Sequence, residues 1–238
     1  MIRSSGVTTS LSTTAGAVEV AVFAKAPVAR FAKTRLAPAL GFRGAARLQR
    51  LLTLRALASA RDAALGPVSL WCSPDTSHRF FRALRLHCAL PCYAQRGATL
   101  GERMAVAFRR HLARRPMLLI GTDCPTLAAD HLRTAAAALQ TVDAAFYPAV
   151  DGGYVLIGLR RLHSELFRDI VWGTELVMHE TRRRIERLGW SWWEGDTLHD
   201  LDTVDDLAYL PDDLRHGVTI EDDIQTAATL ISKGSSAT

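Results

Sequence analysis

Lysine is almost missing from this chain: of 29 basic residues only Lys25, Lys33 and Lys233 are lysine. Two of the three fall in one short stretch, FAKAPVARFAKTRLAP, Phe23 to Pro38. Against a general use of arginine, that pairing points to a place where a compact ammonium has been kept for a chemical reason.

Other absences exclude whole classes of chemistry. The four cysteines, Cys72, Cys88, Cys92 and Cys124, form no CxxC, which argues against a thiolate metal site. The eight histidines are dispersed without an HxxxH, and no GxSxG occurs, so neither a zincin helix nor a serine nucleophile elbow is present. GxxxxGK[ST] and GxGxxG are missing too, which removes the P-loop and the Rossmann fingerprint. No apolar run reaches membrane-span length, and MIRSSGVTTSLSTTAG lacks the apolar core of a signal peptide. A cytoplasmic protein with no membrane span is expected.

The net charge of +5 permits anionic partners. The arginines, however, are scattered along presumed helix faces with little aromatic interleaving, so no nucleic-acid partner is expected. With 48% hydrophobic and 22% charged residues over 238 positions, the chain has the balance of one large globular domain. Residues 1–17 read as a flexible leader and 211–238 as a C-terminal segment, helical and then frayed.

Between these ends, strand and helix patterns alternate. Strands are predicted at VEVAVFA, PVSLWC, LPCYAQ, PMLLIGT, DAAFYPAV, YVLIGL and WSWWEG. Helices are predicted over 42–64, SPDTSHRFFRALR, TLGERMAVAFRRHLAR, 128–140 and 174–188. Such alternation gives an α/β sandwich with a mainly parallel sheet, whose ligand lies beyond the carboxyl ends of the strands.

Four polar clusters fall at such places. Lys25, Arg30, Lys33 and Arg35 follow the first strand and suit a polyphosphate, or form a solvated basic loop. In IGTDCPTL, Asp123 either meets a hard divalent cation or shapes the turn before Pro125, with Thr126 as a cap for the next helix. Asp151, Gly152 and Gly153 make a hairpin turn or a close approach of backbone to a ligand. In LHDLDTVDDL, Thr203 with Asp206 resembles a capping pair, which leaves Asp202 free to reach a cation.

Taken in order, FAKAPVARFAKTRLAPALG, GTDCPTL, PAVDGGYVLIGL, WGTELVMHET and DLDTVDDL resemble the bacterial glycosyltransferase-like family called rSAM/selenodomain-associated transferase. It belongs to the nucleotide-diphospho-sugar transferase superfamily, which includes the molybdopterin and phospholactate guanylyltransferases and the sugar cytidylyltransferases. The resemblance covers about residues 18–210 and implies a single GT-A-like nucleotide-binding domain, a three-layer sandwich with a mixed sheet.

It further implies Lys25, Lys33 and Arg35 as phosphate ligands, which Arg30 joins unless the loop is set differently, Asp123 and Asp202 as ligands of Mg²⁺ or Mn²⁺, and Gly152 and Gly153 on the acceptor side. Lys33 and Asp151 are then the catalytic candidates. The implied activity is glycosyl transfer from an NDP-sugar to a small acceptor. The alternatives are nucleotidyl transfer with release of pyrophosphate, and nucleotide binding without catalysis. One departure stands out: Arg30 occupies a position where the family usually has glycine.

Overall fold

The computed structural model describes residues 17–219. The expected leader therefore lies outside the described residues except for Ala17, and the expected C-terminal segment is described only to residue 219.

The apolar runs become seven strands of one sheet: β1 (Glu19–Lys25), β2 (Val68–Ser73), β3 (Cys92–Ala94), β4 (Met117–Ile120), β5 (Ala144–Pro148), β6 (Tyr154–Leu159) and β7 (Trp192–Glu194). Their order is β3-β2-β1-β4-β6-β5-β7. Only β6 runs antiparallel to its neighbours. This is the mixed, mainly parallel sheet that the alternating pattern predicts. β1 and β4 sit at its centre and are buried on both faces, which is why they read as unbroken apolar runs.

Helices cover both faces: α1 (Ala37–Asp62), α2 (Arg79–His87), α3 (Leu100–His111), α4 (Ala129–Ala138), α5 (Val177–Arg187) and α6 (Asp212–Thr219). Val20, Val22 and Ala24 of β1 pack with Leu54 and Leu57 of α1, Phe81 of α2 and Leu132 of α4. The alternate residues Ala21 and Phe23 pack with Met104 and Phe108 of α3 and with Met178 and Ile185 of α5. The period of two along β1 thus divides its side chains between the two layers.

At three helix starts the local backbone and its hydrogen bonds decide where the element begins. α1 contains a break at Gly41 (φ 68°, ψ 164°), so its regular part begins near Phe42, as predicted. The helix predicted from Ser73 starts only at Arg79, because Ser77 N–H donates to Asp75 Oδ1 at 2.7 Å and His78 Nδ1 accepts from Phe80 N–H. Thr126 does not cap α4. The amide of Ala128 at that helix start donates to His131 Nδ1 at 3.0 Å instead.

A third apolar cluster joins Leu36, Leu48 and Leu52 to Leu201, Leu210 and Leu214. It draws the acidic 198–206 stretch across the end of the sheet. There Leu201 N–H donates to Asp123 O at 2.8 Å, and Val150 N–H donates to Leu198 O at 3.1 Å. Loops remote in sequence are in this way tied together where the parallel strands end.

Candidate functional site

After β1 the chain moves outward through β2 and β3, then returns to place β4 on the other side of β1. That reversal opens a crevice at the carboxyl ends of β1 and β4, the position where open α/β sheets hold ligands. A cavity of about 290 Å³ lies there, lined among others by Lys25, Asp123, Asp151, Gly153, Asp200 and Asp202. Its opposite wall is more apolar, with Leu100, Tyr154, Trp172 and Val177. Trp172 stands edge-on to Tyr154, their ring centroids 6.5 Å apart.

Carboxylates dominate the polar side. Asp151, Asp200 and Asp202 can each bring one oxygen within 4.8 Å of the others. Asp123 is linked to this group through Lys33, whose Nζ lies 2.7 Å from Asp123 Oδ1 and 3.1 Å from Asp202 Oδ1. The same ammonium donates to the carbonyl of Leu201. The Lys33 side chain is only 5% exposed, whereas those of Asp123 and Asp202 are 48% and 42% exposed. The lysine therefore sits behind the carboxylates, and they face the solvent side.

The electrostatics follow from that layout. Burial pulls the Lys33 pKa down, but the charges of Asp123 and Asp202, with their hydrogen bonds, more than reverse this, and the net shift is upward. Asp200 is pushed up to about 6, first by burial, then by the charge of Asp151, with Asp202 and Asp123 adding to it. Four carboxylates, Asp123, Asp151, Asp200 and Asp202, stand on this cavity beside the single ammonium of Lys33 and that of Lys25. A cluster of hard oxygen donors with surplus charge fits a small divalent cation such as Mg²⁺ or Mn²⁺.

Neighbouring side chains fix the loops. Gln49 of α1, fully buried, donates from Nε2 to Thr122 Oγ1 at 3.0 Å and so anchors the turn that carries Asp123. Asp151 Oδ1 accepts from Gly153 N–H at 2.8 Å, which folds the Asp-Gly-Gly turn onto its own carboxylate. Gly152 has φ 87°, and a Cβ there would lie 2.2 Å from the carbonyl oxygen of Glu175. The turn is accordingly both a hairpin between β5 and β6 and a close backbone contact with the Trp172–Val177 stretch.

The basic loop is divided. Lys25, at the end of β1, is exposed and lines the cavity. Lys33 is held behind the carboxylates of Asp123 and Asp202. Arg30 and Arg35 are exposed and do not line the cavity. Arg30 places its guanidinium over the Phe42 ring, 5.3 Å from the centroid. Its φ is 72°, so the backbone adopts the left-handed conformation that glycine takes most easily, and arginine carries it. Asp206 Oδ2 accepts from Thr203 N–H at 2.6 Å and from Asp202 N–H at 2.9 Å, but the Thr203 hydroxyl donates to the same carboxylate and does not cap the 3-10 turn Asp205–Tyr209, contrary to the capping pair read from the sequence. Nothing in sequence separates Asp200 from the run of acids around it; its half-buried place beside Asp151 is the distinguishing feature.

Residues 55–174 match the family described as an uncharacterized protein conserved in bacteria (DUF2064). The chain belongs to that family. No curated protein matches its sequence. Among solved structures it is similar to a candidate nucleotide-diphospho-sugar transferase from Desulfovibrio desulfuricans G20, with 25% identity and a TM-score of 0.74, over 91% of this chain and 97% of that one. Rv0371c from Mycobacterium tuberculosis H37Rv aligns at 18% identity and a TM-score of 0.51, over 82% and 98% of the two chains. A candidate glucose-1-phosphate thymidylyltransferase from Bacillus anthracis aligns at 9% identity and a TM-score of 0.53, over 88% and 98%. The fold is that of the nucleotide-diphospho-sugar transferases and their nucleotidyltransferase relatives.

Proposed function

We propose that the protein is a transferase that takes a nucleotide-activated donor, an NDP-sugar, into the crevice between β1 and β4 and passes its glycosyl group to a small acceptor. The observation that supports this most directly is the convergence of Asp151, Asp200 and Asp202 opposite the apolar wall, with Lys25 on the same cavity. Mg²⁺ or Mn²⁺ held by these carboxylates, with Asp123 beside them, supplies charge neutralisation for the departing diphosphate.

The chain's own groups then divide the work. Lys25 is exposed and free to donate to phosphate oxygens. Gly153 brings backbone close to the cavity, and Asp151 orients the acceptor hydroxyl or takes its proton. The wall of Leu100, Tyr154 and Trp172 excludes water from one side and offers a flat apolar surface. A cytoplasmic setting suits such donors. Among the described residues no helix is long and apolar enough to cross a membrane.

Nucleotidyl transfer would use the same crevice and release pyrophosphate. Its argument from sequence is the density of basic residues after β1, and that argument weakens because only Lys25 of the four lines the cavity. Incubating pure protein with Mn²⁺ or Mg²⁺ and either NTPs or NDP-sugars, with candidate acceptors, separates the two. NDP release supports glycosyl transfer, pyrophosphate release without NDP overturns it, and metal-dependent binding with no turnover leaves a nucleotide-binding protein.

A further inference from the structure

The lysine at the back of the site has no free donor to give a substrate. Its Nζ makes contact with Asp123 Oδ1, Asp202 Oδ1 and the Leu201 carbonyl, which matches the three donors of an ammonium. Lys33 also sits at φ 49°, at the head of a short 3-10 turn, Thr34–Leu36, whose Leu36 is fully buried. The backbone that carries the lysine is thus pinned by the core, and the side chain runs inward from it.

We propose that Lys33 is a built-in counter-cation of the carboxylate group: it positions Asp123 and Asp202 for a divalent metal while holding metal affinity low until the donor's phosphates arrive. This rests on the reading of the crevice as a metal and nucleotide site. Both ion pairs are made to the Oδ1 atoms, so the Oδ2 atoms of Asp123 and Asp202 are not engaged by Lys33. Asp206 Oδ2, four residues from Asp202, fixes the backbone amide of Asp202 and sets where that carboxylate emerges.

The charges explain why restraint is useful. Asp123, Asp151, Asp200 and Asp202 together would attract a dication strongly, and a metal filled with protein oxygens alone has few positions left for phosphate. A fixed positive charge directly behind two of the carboxylates repels a dication at short range. Donor phosphates carry negative charge and tip the balance back, so metal and donor bind together. Loss of Lys33 also frees two carboxylate rotors, but removing a unit charge next to the site is the larger effect on a dication.

The test measures Mn²⁺ binding directly, by the loss of the free-ion signal in electron paramagnetic resonance, without and with nucleoside diphosphates. Lys33→Met should bind Mn²⁺ about tenfold more tightly than wild type when no nucleotide is present, within the usual range for coupled sites. With a nucleoside diphosphate present the variant should keep that gain, because the charge removed is fixed and makes no contact with the donor. Lys33→Arg keeps the charge and should stay near wild type without nucleotide, a difference that a merely structural role does not predict. Should Lys33→Met fail to fold, Lys33→Gln, whose amide can still donate to Leu201, replaces it.

Wild type that binds Mn²⁺ with nucleotide, together with a variant that binds Mn²⁺ no better than wild type alone, overturns the counter-cation role and leaves the site reading intact. No Mn²⁺ binding by wild type with any nucleoside diphosphate overturns both.

Discussion

Lys33 Nζ lies 2.7 Å from Asp123 Oδ1, joining the loop after β1 to the loop after β4 across the mouth of the sheet. The lysine end of this pair is buried and the carboxylate end half-exposed, so the two partners are not equivalent. Removing Asp123 leaves a buried ammonium with one carboxylate. Asp123→Ala is expected to cost about 2 kcal/mol, below the range for fully buried pairs because Asp202 and solvent remain. Asp123→Asn, which keeps an acceptor, should cost about half as much. Urea unfolding at pH 7 measures both, and equal costs for Ala and Asn would show that the carboxylate's charge, and not an acceptor oxygen beside Lys33, carries the stabilisation. Because the Lys33 pKa is raised above its ordinary 10.5, its contribution is complete below pH 10.5 and is lost only as pH climbs through the higher folded value.

Asp200 gives a pH dependence of the same sign in a much lower window. Its folded pKa is about 6 against an ordinary 3.8, so in metal-free protein the folded state holds a proton that the unfolded state has released. Stability therefore falls as pH rises from about 3.8 to about 6 and levels off above that. Asp200→Asn should be more stable than wild type above pH 6 in the presence of a chelator. The two should converge towards pH 4. Thermal melts across that range test it, and a pH-independent difference would show that Asp200 acts through packing.

The division of the basic loop is open to a direct comparison. Lys25→Ala should weaken binding of a nucleoside diphosphate with Mn²⁺ by about tenfold, the order expected for one charge-assisted contact, with little change in melting temperature. Arg35→Ala should leave that affinity within about twofold, a surface charge acting through screened solvent. Calorimetric titration distinguishes them. Equal losses would mean that Arg35 swings onto the donor.

Arg30 tests how much its backbone matters. Arg30→Gly relieves a left-handed conformation worth about 1 kcal/mol and gives up a cation–π contact worth about 0.5–1 kcal/mol. It also adds freedom to the unfolded chain. The sum should lie within about 0.5 kcal/mol of wild type. Arg30→Ala keeps the strained φ and loses the contact, so it should be less stable than Arg30→Gly by about 1 kcal/mol. Donor binding should be unchanged in both, since Arg30 does not line the cavity.

Much of the fold is legible in the residues themselves. VAVFA and MLLI are continuous apolar runs because β1 and β4 are buried on both faces, and that pattern needs no partner to be read. Asp-Gly-Gly between two apolar strands announces the β5–β6 turn for an equally local reason. Boundaries are harder to read, as at Arg79 and Ala129, where the deciding events are single hydrogen bonds from backbone amides to Asp75 and His131.

By itself, then, the sequence determined the alternation of strands and helices and the crevice-side placement of Lys25, Asp123 and Asp151, since each depends on neighbours within a few residues. Only the tertiary structure decided which of these residues meet. Lys33 and Asp202 are joined across the chain, Asp200 is half-buried beside Asp151, and Arg30 and Arg35 do not line the cavity. Contacts between distant segments depend on strand order and on the leucine cluster that draws 198–206 over the sheet end, and neither leaves a mark on local spacing.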